Sequence, residues 1–129
     1  MPEEFERRKI LVVDDEERMV RFIRMNLEHD GFQVAEAFNG RQAIQKLRDV
    51  TPDLILLDVM MPDISGLEVL RYIRREPDLA SIPVIILSAK SMPGDIKTGL
   101  EAGASMYLTK PVGFQDLKNA VEQVLHNAS

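Results

Sequence analysis

The chain has 129 residues, no cysteine and a formal net charge of -5, with 45% apolar and 29% charged residues. That composition supports one domain with its own core, and it excludes a disulfide framework, thiol chemistry and a thiolate metal site. The acidic balance argues against direct nucleic-acid binding, and no apolar run approaches the ~20 residues of a membrane span.

The opening "MPEEFERRK" is too charged for a secretory signal, which makes the cytoplasm the expected location. The first apolar run, "KILVV" at 9–13, has strand length. Residues 16–30 place Val20, Ile23 and Leu27 at helical spacing and stop at Gly31. "FQVAEA" (32–37) alternates weakly, like an edge strand, and 40–50 reads as a helix with Ala43, Ile44 and Leu47 inward. "DLILLD" (53–58) is too apolar for a one-sided strand. A helix over 65–76 is closed by Pro77, and "PVIILS" (83–88) is another buried strand. Residues 92–103 form a shorter helix weakened by glycine, 105–109 a fifth strand, and 114–125 a last helix with Phe114, Leu117, Val121, Val124 and Leu125 on one side. His29 and His126 each lie near a helix end and read as solvated residues, not as a metal pair.

Five strand-then-helix units with doubly buried strands predict an α/β fold: a doubly wound, five-stranded parallel sheet with helices on both faces. The three most apolar runs belong at the centre and the second and fifth strands at the edges. Right-handed crossovers then give the order 2-1-3-4-5, the flavodoxin-like (βα)5 arrangement. In such sheets the working site lies at the carboxyl ends of the strands.

Those ends carry polar residues. The first strand ends in Asp14 and Asp15, the third in Asp58, the fourth in Ser88 and the fifth in Thr109 and Lys110. Taken singly, each has an ordinary reading as a helix cap, a turn residue or a solvated lysine. Taken together they place three carboxylates, a hydroxyl and an ammonium in one crevice. Like charges that close repel, and a hard divalent cation removes the conflict.

"ILVVDDE", "LILLDVMMPDISGLEVL", "IPVIILSAK" and "EAGASMYLTKP", in this order and spacing, resemble the receiver domain of two-component response regulators, in particular the single receiver domains of chemotaxis regulators. The resemblance covers about 8–126 of a chain read as one domain over 1–129. It implies that Asp58 is the phosphoacceptor for a sensor histidine kinase or phosphotransfer protein. Magnesium, replaceable by manganese, is the implied cofactor, held by Asp15, Asp58 and the backbone carbonyl of Met60, with Asp14 on a metal-bound water. Ser88 matches the switch hydroxyl, Lys110 the lysine on the phosphoryl group, and Tyr107 the switch aromatic that swings between solvent and interior. Pro111 is expected to follow a cis peptide bond. The product would be a switch and not an enzyme in the ordinary sense, acting on a downstream partner or output domain and dimerising through the fourth helix, fifth strand and fifth helix when phosphorylated.

Two departures stand out. Val112 replaces the phenylalanine often found after the Lys-Pro pair, and "GASMYLTKP" lacks the second acidic pair and arginine pattern common in winged-helix transcription regulators, which weakens the case for an origin in that subfamily without excluding it. Two other chemistries fit the topology less well. A haloacid-dehalogenase-type phosphatase wants Asp-x-Asp after the first strand, and a flavin carrier wants a phosphate cradle there, whereas this chain reads "DDEERM". On a helical wheel of the first helix, Phe22 and Met25 face outward with Arg18 and Arg21 nearby, which predicts a kinase-docking face extended by Pro111 and Val112. The chain closes on "HNAS", leaving two readings: a receiver that acts alone, or one cut from a longer regulator.

Overall fold

The computed structural model describes residues 8–128; most of the charged opening segment (1–7) and Ser129 lie outside the described residues. Strand and helix alternate five times: β1 (Lys9–Val13), α1 (Glu17–His29), β2 (Gln33–Ala37), α2 (Gly40–Asp49), β3 (Leu54–Leu57), α3 (Gly66–Arg75), β4 (Val84–Ser88), α4 (Pro93–Glu101), β5 (Met106–Thr109) and α5 (Phe114–Ala128). All pairings are parallel and the order is β2-β1-β3-β4-β5, as the apolar runs predict.

Strand alternation sorts the core into two halves. Ile10, Val12, Leu54, Leu56, Ile85 and Leu87 meet α1 and α5 on one face. Leu11, Val13, Ile55, Leu57, Val84 and Ile86 meet α2 and α3 on the other, where Tyr107 also packs. The inward residues of α1 are those the spacing predicts, Val20, Ile23 and Leu27. Ile44 and Phe114 are only half-buried, and Ala120 takes an inner place on α5 that a search for large apolar residues overlooks. β3 (Leu54–Leu57) is shorter at both ends than 53–58, yet both flanking aspartates still bond to β1: Asp53 donates its N–H to the Lys9 carbonyl and accepts the Lys9 N–H on its carboxylate, each at 2.7 Å, and the Asp58 N–H donates to the Val13 carbonyl at 2.9 Å.

At the end of the sheet where strands begin, the half-buried Arg74 ties three segments together. Its Nε and Nη2 donate to the Gly103 carbonyl at 3.1 and 2.8 Å, and its Nη1 to the carbonyls of Ala80 and Ile82 at 3.1 and 2.7 Å. Gly103 has φ +112°, a left-handed conformation that glycine adopts without steric cost.

At the opposite end, the entry to α3 is packed against the loop after β3. Ser65 caps the helix through the Leu67 N–H (3.2 Å), and the Gly66 N–H donates to the Val59 carbonyl (2.9 Å). A side chain at Gly66 would overlap the Asp58 carbonyl oxygen and lie 2.8 Å from Val59 Cα, both backbone atoms that cannot swing aside. Gly66→Ala is therefore expected to cost about 1–3 kcal/mol, the range for overpacking, and to shift Asp58. Denaturant midpoints test the first effect, and magnesium titration of the folded variant the second; parental values in both would contradict this account.

Candidate functional site

The hydrogen-bond ladder continues beyond the strand ends. Asp14 N–H donates to the Ala37 carbonyl (3.1 Å), Asp58 N–H to that of Val13 (2.9 Å) and Lys110 N–H to that of Ser88 (2.8 Å). Three of the candidate residues are thus held by the sheet itself rather than by free loops. Alternation then assigns their sides. Asp14, Asp58 and Lys110 continue the rows facing α1 and α5, whereas Ser88 continues the row of Val84 and Ile86, on the side of Tyr107.

The result is a charge cluster at a partly sealed edge. Asp14 is 3% and Asp58 5% exposed, whereas Asp15 is exposed. Carboxylate oxygens of all three lie within 4.8 Å of one another. Lys110 Nζ sits 2.7 Å from Asp14 Oδ2 and 3.6 Å from Asp58 Oδ2, with Glu16 Oε1 at 3.5 Å. Asp14 Oδ1 accepts the Glu16 N–H (3.0 Å) at the entry to α1, whose positive dipole end adds to the neutralisation. Asp58 Oδ1 accepts the Met60 N–H at 3.2 Å. A cavity of about 300 Å³ opens over the cluster, lined by Asp15, Glu16, Asp58, Met60, Ala89 and Lys110.

Burial pushes the Asp58 carboxyl above the usual carboxylate range; Asp14 and, more weakly, Asp15 push the same way, and Lys110 with the Met60 N–H offsets only part. Burial acts downward on Lys110, but the hydrogen bond and charge of Asp14, joined by Asp58 and Glu16, outweigh it and hold the ammonium above its ordinary value. One cation therefore serves more negative charge than it neutralises. The remaining donors are hard oxygens, which fit magnesium better than a soft metal.

Ser88 is fully buried, and its Oγ accepts the Lys90 N–H at 3.2 Å. Tyr107 is half-buried; its hydroxyl donates to the Lys90 carbonyl at 2.7 Å. The Lys110–Pro111 peptide is cis. Phe22 and Met25 are 53% and 64% exposed, and the Phe22 ring meets Phe114 of α5 edge-on at 6.4 Å.

Sequence reasoning missed three contributors. Glu16 joins the cluster through Lys110, and its place directly after the acidic pair was the available sign. Gly66 carries no charge and is betrayed only by following a serine cap. Asp63 reaches across to α2, accepting the N–H groups of Gly40 and Arg41 at 3.0 Å each, and so ties the loop after β3 to a helix start.

Residues 10–122 match the model of the response regulator receiver domain. The chain belongs to the response regulator receiver family. It is 40% identical over 121 residues to the alkaline phosphatase synthesis transcriptional regulatory protein PhoP of Bacillus subtilis, a match covering 94% of this chain and 50% of that protein. To the transcriptional regulatory protein ResD of the same organism it is 43% identical, covering 94% and 49%. Among solved structures, the Francisella response regulator 1452 receiver domain superposes with a TM-score of 0.87 at 32% identity, covering 94% of this chain and 98% of that one. A CheY-like receiver domain from Methanospirillum hungatei gives 0.89 at 25%, covering 95% and 97%. The chain spans about half the length of the curated relatives it matches. Several of those relatives are named as transcriptional regulatory proteins. The receiver is a signalling switch of two-component systems, and the phosphatase alternative gains no support. No helix among the described residues is long and apolar enough to cross a membrane.

The raised Asp58 pKa has a sign that can be checked in chelator. The folded protein keeps the Asp58 proton to higher pH than the unfolded chain does. The stability from this group is complete below the unfolded carboxylate range and is lost as pH rises through the folded value. Asp58→Asn escapes that loss. With metal removed, it is expected to unfold at higher denaturant than the parent at about pH 7, with the gap closing toward about pH 4. A pH-independent gap would contradict this assignment.

Proposed function

We propose that Asp58 accepts a phosphoryl group from the phosphohistidine of a sensor histidine kinase or phosphotransfer protein. The observation that carries this reading is the position of Lys110 Nζ, 2.7 Å from Asp14 and 3.6 Å from Asp58 at the floor of a small cavity. A carboxylate oxygen of Asp58 attacks phosphorus, the phosphorus–nitrogen bond breaks, and the imidazole leaves with its electron pair. Anion meets anion, so the protein's task is in-line positioning and charge neutralisation. Lys110 supplies a compact charge for a phosphoryl oxygen, which suits an ammonium better than a planar guanidinium. Magnesium, or manganese in its place, would be held by Asp15, Asp58 and the Met60 carbonyl, with Asp14 acting through water, and would add the charge that the lysine alone lacks.

The phosphoryl group then draws the Ser88 hydroxyl, and Tyr107 reads the change through the loop carrying Lys90. The reading extends to a single domain over 1–129, active in the cytoplasm and passing its signal to a partner or output domain. Exposed Met92 just before α4 and Leu100 on it, at 68% and 45%, support a phosphorylation-dependent dimer through α4, β5 and α5.

With acetyl phosphate and magnesium the protein should gain one acid-labile phosphoryl group by intact mass, and Asp58→Asn or a chelator should prevent it. Label that persists in Asp58→Asn would refute the acceptor. For the kinase, the exposed Phe22 and Met25 support docking on α1, beside the cavity. Interface anchors contribute on the order of 2 kcal/mol each when truncated, roughly 30-fold, so Phe22→Ala with Met25→Ala should slow transfer from the cognate kinase by at least that factor and leave acetyl phosphate labelling intact. Equal loss of both would assign these residues to the fold instead.

A further inference from the structure

Gly99 is the one buried residue of α4. A methyl group there would lie 2.8 and 2.9 Å from Cδ2 and Cε2 of the Tyr107 ring and 2.9 Å from Cδ1 of Ile86. The Ile86 terminus can rotate away. The aromatic ring is rigid and can yield only by moving as a whole. Glycine inside a helix is disfavoured relative to alanine by about 1 kcal/mol. α4 has nine residues and a second glycine, Gly94, which faces open space. A helix this marginal accepts a further glycine at a cost to itself, and the gain lies in the ring that packs on it.

The other end of that ring is fixed as well. The Tyr107 hydroxyl donates to the carbonyl of Lys90, whose own N–H donates to Ser88 Oγ. A ring seated on bare helix backbone thus reaches the loop that holds the switch hydroxyl. We propose that Gly99 is a positioning residue of the switch: its missing side chain forms the inner seat of Tyr107 on α4, and a methyl there expels the ring and uncouples β5 from the Lys90 loop. This rests on the reading of Tyr107 as the switch aromatic, and it adds the surface against which that switch closes.

The chain has two tyrosines and no tryptophan. Tyr72→Phe therefore leaves Tyr107 as the sole emitter, and acrylamide quenching reports its exposure. In that background, without any phosphoryl mimic, Gly99→Ala should raise the quenching constant toward that of free tyrosine. Adding magnesium and beryllofluoride should protect Tyr107 in the parent and fail to protect it in Gly99→Ala, while acetyl phosphate labelling of Asp58 proceeds in both. A second measurement separates seat from scaffold. In Tyr107→Ala, Gly99→Ala should favour the folded state about five-fold, as helix propensity dictates, and with the ring present that gain should vanish. A folded Gly99→Ala protein with parental quenching, or equal stabilisation in both backgrounds, overturns the proposal. If Gly99→Ala fails to fold, recovery on adding Tyr107→Ala supports the seat, and continued failure overturns it. A parent whose Asp58 takes no label would instead sink the phosphoacceptor reading, while the ligand-free quenching still judges Gly99.

Discussion

Two carboxylates, those of Asp14 and Asp58, are buried side by side at the carboxyl edge of the sheet, and the Lys110 ammonium lies between them at 2.7 and 3.6 Å. A buried charge without a partner costs several kcal/mol, and the lysine, with the Glu16 and Met60 N–H groups, offsets that cost for the two acids. The three residues come from positions as far apart as 14 and 110, and only a parallel sheet with this strand order brings them together. The site thus depends on the register of β1, β3 and β5, and that register depends on the two-sided apolar packing. The ammonium leaves the cluster negative, and this residual charge fits it for a hard cation.

The sheet also divides labour between its faces. The row that ends in Asp14, Asp58 and Lys110 handles charge on the side of α1 and α5. The row that ends in Ser88 lies on the side of α2 and α3, where its Ile86 and the Tyr107 ring meet Gly99 of α4. Under the proposed function, a phosphoryl group on one side would be read on the other through single-residue links at the edge. Lys90, which binds Ser88 by its N–H and Tyr107 by its carbonyl, is the visible link.

Much of this was legible in the sequence because it rests on alternation and order. Uninterrupted runs such as "LILL" and "VIIL" can be buried only in the centre of a parallel sheet, and the residue ending each run then falls at the working edge. Other features depend on distances that periodicity does not encode. That the Asp53 carboxylate takes the Lys9 N–H, that Gly66 packs on the Asp58 backbone and that Asp63 reaches α2 all follow from local chain paths. Glycine is the hardest residue to read in a sequence. Gly99 looks like a weak point in a poor helix until the ring packed against it is seen.

Arg74 has a mechanical consequence. By gripping the carbonyl of Gly103 it pins the stretch just beyond the carboxyl end of α4, while at the amino end Met92 and Gly94 stand in solvent and the loop before them is held through the Tyr107 hydroxyl on the Lys90 carbonyl. A rod clamped at one end swings most at the other. At ~1.5 Å of rise per residue, the lever arm runs from the clamp to the loop that leaves Ser88. A small shift where Tyr107 bears on Gly99 is therefore magnified at the tip, on the surface a partner would meet, and the clamped end works as the fulcrum.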